Sequence, residues 1–341
     1  MVRRNRTISW SRIISRGLSS MTRRSMRAGG RAVNKALKPS ADKNKPPPGP
    51  GDWIRGLAVG AAGVRRYRLY RPPDIRASER LPLLVMLHGC GQDARSFAVS
   101  TRMNRIAARE RFLVLYPEQD RLANPQGCWN WFDTSAGRAF GEVDLIMKAI
   151  DQTCLLYPVD SARIAVAGLS AGASMAALLV SRHPERFKAV MMHSGIPPGT
   201  AHSTLSAVGA MHGHRDTGRL KATPASMAES WPALLVIHGE KDSVVAISNG
   251  YAAVRAWADA AGARACSART LQRGARYPMT VTDFKLGAKT VTTMVEVGSL
   301  GHAWSGGGTG AALSDPRGPD ASRMVWSFAA RQFRAIRALG A

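Results

Sequence analysis

Apolar positions between residues 60 and 340 fall into two patterns that take turns. Short continuous apolar runs, closed by glycine, proline or charge, occur at 81–89 (LPLLVMLHG), 112–118 (FLVLYPE), 163–168 (RIAVAG), 187–195 (FKAVMMHSG), 232–240 (PALLVIHGE) and 290–297 (TVTTMVEV). Runs of this length predict strands buried on both faces, as in the middle of a parallel sheet. A run at 65–72 (RRYRLYRP) alternates instead and predicts a half-buried strand. Between the strands, apolar spacings of three and four predict helices near 101–110, 141–156, 171–182, 247–262 and 319–337. Strands that alternate with helices need crossovers. The expected fold class is therefore α/β, a mostly parallel sheet with helices on both faces. In such sheets a ligand sits at the carboxyl ends of the strands.

Composition adds a second region. The chain has 341 residues, 45% of them hydrophobic, and a net charge of +25. Residues 1–50 hold 13 of the Lys and Arg against one acid, Asp42. A Pro/Gly stretch, KPPPGPG at 45–51, ends this part. The boundary expected from these shifts is a basic extension and linker at 1–51, followed by one catalytic domain at 52–341. In the extension, Trp10, Ile13, Ile14, Leu18 and Met21 share a helical spacing with arginines between them. That suits a basic amphipathic helix on an anionic surface or granule, with residues 1–45 making the contact. Gly17, Gly29 and Gly30 weaken the helix and favour a flexible, solvated extension. No specific nucleic-acid partner is expected. No apolar stretch follows the first arginines as a secretory signal requires, so the expected location is cytoplasmic or granule-associated, with extracellular as the alternative. Four cysteines without a CxxC pair suggest neither a disulfide scaffold nor zinc.

The chemistry starts at Gly168-Leu169-Ser170-Ala171-Gly172, between a predicted strand and a predicted helix. A Gly-x-Ser-x-Gly turn in this context makes a nucleophile elbow, which lifts the serine hydroxyl above the sheet. A tight turn with an incidental serine is the plain alternative; the strand and helix on either side favour the elbow. Gly168 and Gly172 are expected because side chains there would strike the adjoining strand and helix. A serine nucleophile needs a base, and the base an orienting carboxylate, in the chain order Ser, acid, His. After the strand at 232–240 the chain offers Glu240 and Asp242; Asp242, deeper in the turn, is preferred and Glu240 read as a solvated turn residue. Of eight histidines, His302 alone follows the acid on a loop after the last strand. His88, His193 and His238 end strands and are read as local packing groups. The oxyanion of the intermediate needs two donors, for which the N–H groups of Ala171 and Cys90 are expected, the latter in the Gly89-Cys90-Gly91 turn.

Trp129, Asn130 and Trp131 in CWNWF, with Trp304 two residues beyond His302, are expected to line the substrate cleft. The opposite reading makes at least one of Trp129 and Trp131 a core anchor. Glu118, Gln119 and Glu142 read as structural hydrogen-bonders nearby. Cys90 and Cys128 both fall in loops near the strand tops, which admits a disulfide without fixing one. The long connection 196–231 is read as a small lid.

Taken in order, LHGCGQDARSFA, YPEQ, CWNWF, GLSAGASMA, HGEKDSVV and SLGHAWSGG resemble the polyhydroxybutyrate depolymerase family of esterases, related to feruloyl and acetylxylan esterases. The resemblance spans residues 60–335. It implies an α/β-hydrolase fold that needs neither cofactor nor metal. It also implies a triad on Ser170, Asp242 and His302 and an oxyanion hole on Cys90 and Ala171. The substrate it implies is a carboxylic ester, foremost a poly- or oligo(3-hydroxyalkanoate); a feruloyl, acetylxylan or short-chain ester is the alternative. Two features depart from the family pattern: Ala173 stands where a glycine is common, and residues 1–50 lie outside it. No strand-rich module follows the body, so oligomers or amorphous polymer are expected over crystalline polymer.

Overall fold

The computed structural model describes residues 45–76, 78–213 and 231–339. The expectations for residues 1–44, and for the part of the lid at 214–230, lie outside them. Among the described residues, eleven strands form one sheet. In chain order they are β1 (Asp52–Gly60), β2 (Gly63–Arg71), β3 (Leu81–Leu87), β4 (Leu113–Pro117), β5 (Val159–Leu169), β6 (Ala189–His193), β7 (Ala233–Gly239), β8 (Arg264–Ala265), β9 (Arg269–Leu271), β10 (Met279–Leu286) and β11 (Lys289–Val297). Across the sheet they run β1-β2-β4-β3-β5-β6-β7-β11-β10-β8, with β9 also on β10. The central strands β4, β3, β5, β6, β7 and β11 are parallel, and antiparallel partners close both edges. This is the mostly parallel α/β sheet that the apolar runs predict.

The period-two geometry of a strand sends one continuous apolar run to two cores. Leu83, Val85 and Leu87 of β3 enter one cluster with Val166, Val236 and the helices α3 (Arg138–Leu156), α4 (Ala171–Arg182) and α6 (Ser248–Ala261). Leu84 and Met86 enter the other with Ala167 and Ile237. That second face is covered by α1 (Ala94–Thr101), α2 (Met103–Glu110) and α7 (Ala321–Leu339). A short helix α5 (Thr204–Met211) lies in the described part of the 196–231 connection, capped by Ser203 and held where Asn249 donates to the Ala210 carbonyl at 2.9 Å. A minor pair, β12 (Trp304–Ser305) and β13 (Ser314–Asp315), stands apart from the sheet.

Three boundaries differ from the expectation. The helix expected at 101–110 is two helices, α1 and α2, broken at Arg102. That residue takes a left-handed backbone (φ 56°) and turns its guanidinium to the Gly306 carbonyl. Strands β1 and β10 were not foreseen: both lie towards the sheet edges and are half exposed, so their apolar signal is diluted. The stretch 45–51 is not a free linker. Arg95 donates to the Lys45 carbonyl at 2.9 Å, Tyr70 to the Pro50 carbonyl at 2.8 Å, and Pro47 is buried.

Candidate active site

The parallel strands end in register, and their carboxyl ends carry the candidate residues. Leu87 of β3 lies opposite Gly168 of β5, Leu169 opposite His193 of β6, and Gly239 of β7 opposite Val297 of β11. One or a few residues beyond these ends stand Cys90, Ser170, Asp242 and His302.

Ser170 has φ 57° and ψ −122°, a region closed to most non-glycine residues. The conformation is over-determined by what surrounds it. The Ser170 N–H donates to the His193 carbonyl at 2.9 Å, and α4 starts at the next residue. A Cβ on Gly168 would overlap the Gly172 backbone, and one on Gly172 would overlap the Leu87 and His88 carbonyls. Both glycines are required by close approach, as the pentapeptide implied. Although Ser170 stands at the helix N-cap, its side chain makes no capping bond, so the hydroxyl is left to other partners.

Asp242 and His302 are brought together over 60 residues of sequence: His302 Nδ1 donates to Asp242 Oδ2 at 2.8 Å. Their loops are laced by main-chain bonds, Glu240 N–H to the Val297 carbonyl at 3.0 Å and Lys241 N–H to the Leu300 carbonyl at 2.9 Å. Asp242 Oδ1 accepts the N–H groups of Val244 (3.0 Å) and Val245 (2.9 Å). The carboxylate is fully buried, which by itself raises its pKa. The His302 hydrogen bond and the imidazoles of His302 and His238 overcome that and hold it at about 2. Glu240, the competing carboxylate, is exposed.

The turn after β3 is shaped by its own bonds. Gly91 N–H reaches the Gln126 carbonyl at 3.0 Å, Gln92 N–H the Gly89 carbonyl at 3.2 Å, and Gly89 N–H the Gln92 side chain at 3.0 Å. The Cys90 N–H is outside that set. Ala171 opens α4, so its N–H has no partner within the helix. Cys90 and Cys128 form a disulfide with Cα atoms 4.3 Å apart, tying this turn to the segment before Trp129.

The aromatic residues expected to line the cleft are placed differently. Trp129 is fully buried and donates its indole N–H to the His88 carbonyl at 3.0 Å. Trp304 is buried with its N–H on Ser322 Oγ at 3.1 Å and its ring stacked on His193. Both are therefore supports behind the loops, because their polar ends point inward to protein partners. Asn130 is buried too, with its amide on Glu142 Oε1 at 2.7 Å and its N–H on Glu142 Oε2 at 3.0 Å. Trp131 keeps slightly more exposure, at 8%.

The histidines at the strand ends, expected to pack or bond locally, each have a partner within hydrogen-bonding distance. His88 accepts the Gln119 N–H at Nε2 (3.0 Å) and sits 2.9 Å from the Gly89 carbonyl through Nδ1; burial lowers its pKa to about 4. His193 Nε2 accepts the Ser305 N–H at 3.1 Å, and burial lowers its pKa to about 3. His238 Nε2 donates to the Val245 carbonyl at 2.9 Å and lies 3.5 Å from Asp242 Oδ2, bracing the acid's loop. The role of Gln92 was missed; a buried glutamine bonding a loop leaves no periodic signal. Among the described residues, no group of three or more His, Cys, Asp or Glu side chains could hold a metal ion.

Comparison with known proteins bears on this arrangement. The family described as esterase PHB depolymerase matches residues 65–272, more than half of the chain. The chain belongs to this family. Among curated relatives of this family member, a poly(3-hydroxyalkanoate) depolymerase C of Paucimonas lemoignei is 31% identical over 180 residues, covering 49% of this chain and 42% of the relative. Acetylxylan esterase A of Talaromyces purpureogenus is 24% identical over 225 residues, covering 61% of this chain and 56% of the relative. The chain thus spans about half the length of these two relatives. A solved acetyl xylan esterase from Aspergillus awamori superposes with a TM-score of 0.59 at 18% identity, covering 74% of this chain and 94% of that one. With a ferulic acid esterase structure (TM-score 0.51, 17% identity, 75% and 92% covered), it shows the α/β-hydrolase fold. No helix among the described residues is long and apolar enough to cross a membrane.

Proposed function

We propose that the chain is a serine esterase acting through an acyl-enzyme. The observation that carries this reading is a strained, uncapped Ser170 at a helix start after β5 together with a buried Asp242–His302 hydrogen bond at the same carboxyl end of the sheet, after β7 and β11. His302 is held by Asp242 through Nδ1, so Nε2 is the nitrogen that takes the Ser170 proton as the hydroxyl attacks the ester carbonyl. The N–H groups of Cys90 and Ala171 donate hydrogen bonds to the developing oxyanion. His302 then protonates the departing alcohol. Water, activated by the same imidazole, frees the acid and regenerates the serine.

The substrate class proposed first is a poly- or oligo(3-hydroxyalkanoate), supported by the 31% identical relative named for that polymer. An acetylated or feruloylated polysaccharide is the second reading, supported by the longer match to an acetylxylan esterase. The cytoplasmic expectation is weakened by the Cys90–Cys128 bridge, since reducing compartments rarely keep disulfides; this supports the extracellular alternative. The test is a hydrolysis panel of 3-hydroxybutyrate oligomers, acetylated xylan, methyl ferulate and p-nitrophenyl esters of graded length. Hydroxybutyrate oligomers are expected to show the highest kcat/KM. Ser170→Ala should lower kcat on every substrate by about 10⁴ to 10⁶. Full activity of that variant would remove the nucleophile assignment.

A further inference from the structure

Helices α2 and α7 leave a cavity of about 230 Å³ between them on the second face of the sheet. Arg109 of α2 and Arg323, Arg331 and Arg334 of α7 line it, with Glu110 and Trp326. Positions 323, 331 and 334 differ by eight and eleven, so the three arginines share one face of α7. None of these residues belongs to the candidate active site.

The charge of this cavity is only partly balanced. Some half-buried arginines elsewhere meet carboxylates, Arg71 with Asp52, Arg111 with Glu79 and Arg186 with Asp151, each at 2.6 Å. In the cavity, Arg109 is paired with Glu110 at 2.8 Å. Among the described residues, Arg323, Arg331 and Arg334 make no ion pair. Arg331 is held instead over the Phe328 ring at 5.5 Å, which positions its guanidinium and leaves its charge uncompensated. The floor is firm: Trp326 is stacked on Phe112, ring centres 3.7 Å apart and 11° from parallel. Gathering like charges around one hollow costs free energy that an anion seated among them repays.

We infer that this cavity binds a phosphate group, as a phosphate monoester or the end of a polyphosphate. The planar guanidinium fork matches phosphate oxygens two at a time, and a phosphate carries close to two charges at neutral pH. The volume lies below the roughly 300 to 1,000 Å³ of pockets that enclose a drug-sized ligand. It suits one or two phosphoryl groups, with the rest of the ligand in solvent. A free polyphosphate, a nucleotide and a phospholipid headgroup share this chemistry.

The experiment compares the full-length protein with its Arg323→Gln/Arg331→Gln variant at near-physiological salt, titrating tripolyphosphate in a calorimeter. Both proteins keep residues 1–44, so binding to the basic extension is common to the two and cancels in the comparison. The double variant is expected to bind about tenfold more weakly or worse, from the loss of two charged hydrogen-bonding groups. Its ligand-free Tm and its hydrolysis of p-nitrophenyl acetate should stay at the parent values. Equal affinities for the two proteins overturn the site. ADP and phosphatidic-acid vesicles form parallel arms, and the arm with the largest affinity ratio identifies the source. If the double variant has a lowered Tm, Arg331→Lys takes its place, keeping the charge but not the fork. A several-fold loss for tripolyphosphate in that variant supports bidentate recognition, and an unchanged affinity overturns it.

Discussion

Replacing Asp242 by asparagine separates the role of its charge from the role of its shape. The carboxylate accepts three hydrogen bonds: His302 Nδ1 at 2.8 Å on one oxygen, and the Val244 and Val245 N–H groups at 3.0 and 2.9 Å on the other. An amide has only one acceptor oxygen. If that oxygen keeps the two main-chain donors, the NH₂ group faces His302 Nδ1 and forces the ring into the tautomer with its proton on Nε2. If instead the oxygen faces His302, two main-chain N–H groups confront an NH₂, each an unmet donor costing about 1 to 3 kcal/mol. The first orientation wins, and Nε2 can no longer accept the serine proton. The expected fall in kcat is about 10⁴-fold with little change in KM.

The same substitution has a stability signature with a definite pH window. The Asp242 carboxyl lies at about 2 in the folded protein against an ordinary 3.8, despite burial pushing it up, because His302 and its neighbours favour the anion. A depressed folded pKa stabilises above the unfolded value, and the contribution is lost as pH falls through the folded one. Nearly two units correspond to about 2 kcal/mol at neutral pH. Urea unfolding at pH 7 should show Asp242→Asn less stable by about that amount. The two proteins should converge as pH falls from about 4 towards 2. Glu240→Gln, at an exposed position, should leave kcat within a few-fold. A kcat for Asp242→Asn within tenfold of the parent, or the larger loss in Glu240→Gln, would refute the assignment of the acid.

Other perturbations probe the frame around the site. Gly172→Ala places a methyl against the Leu87 and His88 carbonyls, which cannot move without shifting β3; a loss of about 1 to 3 kcal/mol and most of the activity is expected, read by Tm and kcat. Cys128→Ser opens a bridge spanning 38 residues, worth about 4 kcal/mol in the chain-entropy account, and frees the turn that carries Cys90. A kcat unaffected by Cys128→Ser would detach Cys90 from oxyanion binding. Because 45–51 is bonded to the body, the extension should be cut after residue 44, not after the prolines. That truncation should leave kcat on a p-nitrophenyl ester near the parent value while reducing co-sedimentation with anionic vesicles at low salt. Equal sedimentation of the two forms would make the extension a solvated tail.

The sequence by itself determined the alternation of strand and helix, the parallel centre of the sheet and the place of Ser170 in it. These are local properties: a strand buried on both faces needs an unbroken apolar run, and a turn this tight needs glycine on both sides of the serine. Chain order narrowed the candidate base to His302 and the candidate acid to two neighbours. What the sequence left open depended on contacts between residues far apart in the chain. Asp242 and Glu240 are two residues apart and alike in charge. Only the direction of each side chain from the end of β7 tells them apart, one buried against His302 and the other exposed. Trp129 and Trp304 look in sequence like cleft walls, yet their indole N–H groups found acceptors inside the protein, and a buried donor goes where its partner is. The outer strands β1 and β10 are half solvated, so their pairing came from neighbours and not from pattern. The Cys90–Cys128 bridge and the arginine cavity between α2 and α7 exist because the fold sets distant segments side by side, a fact that no run of adjacent residues encodes.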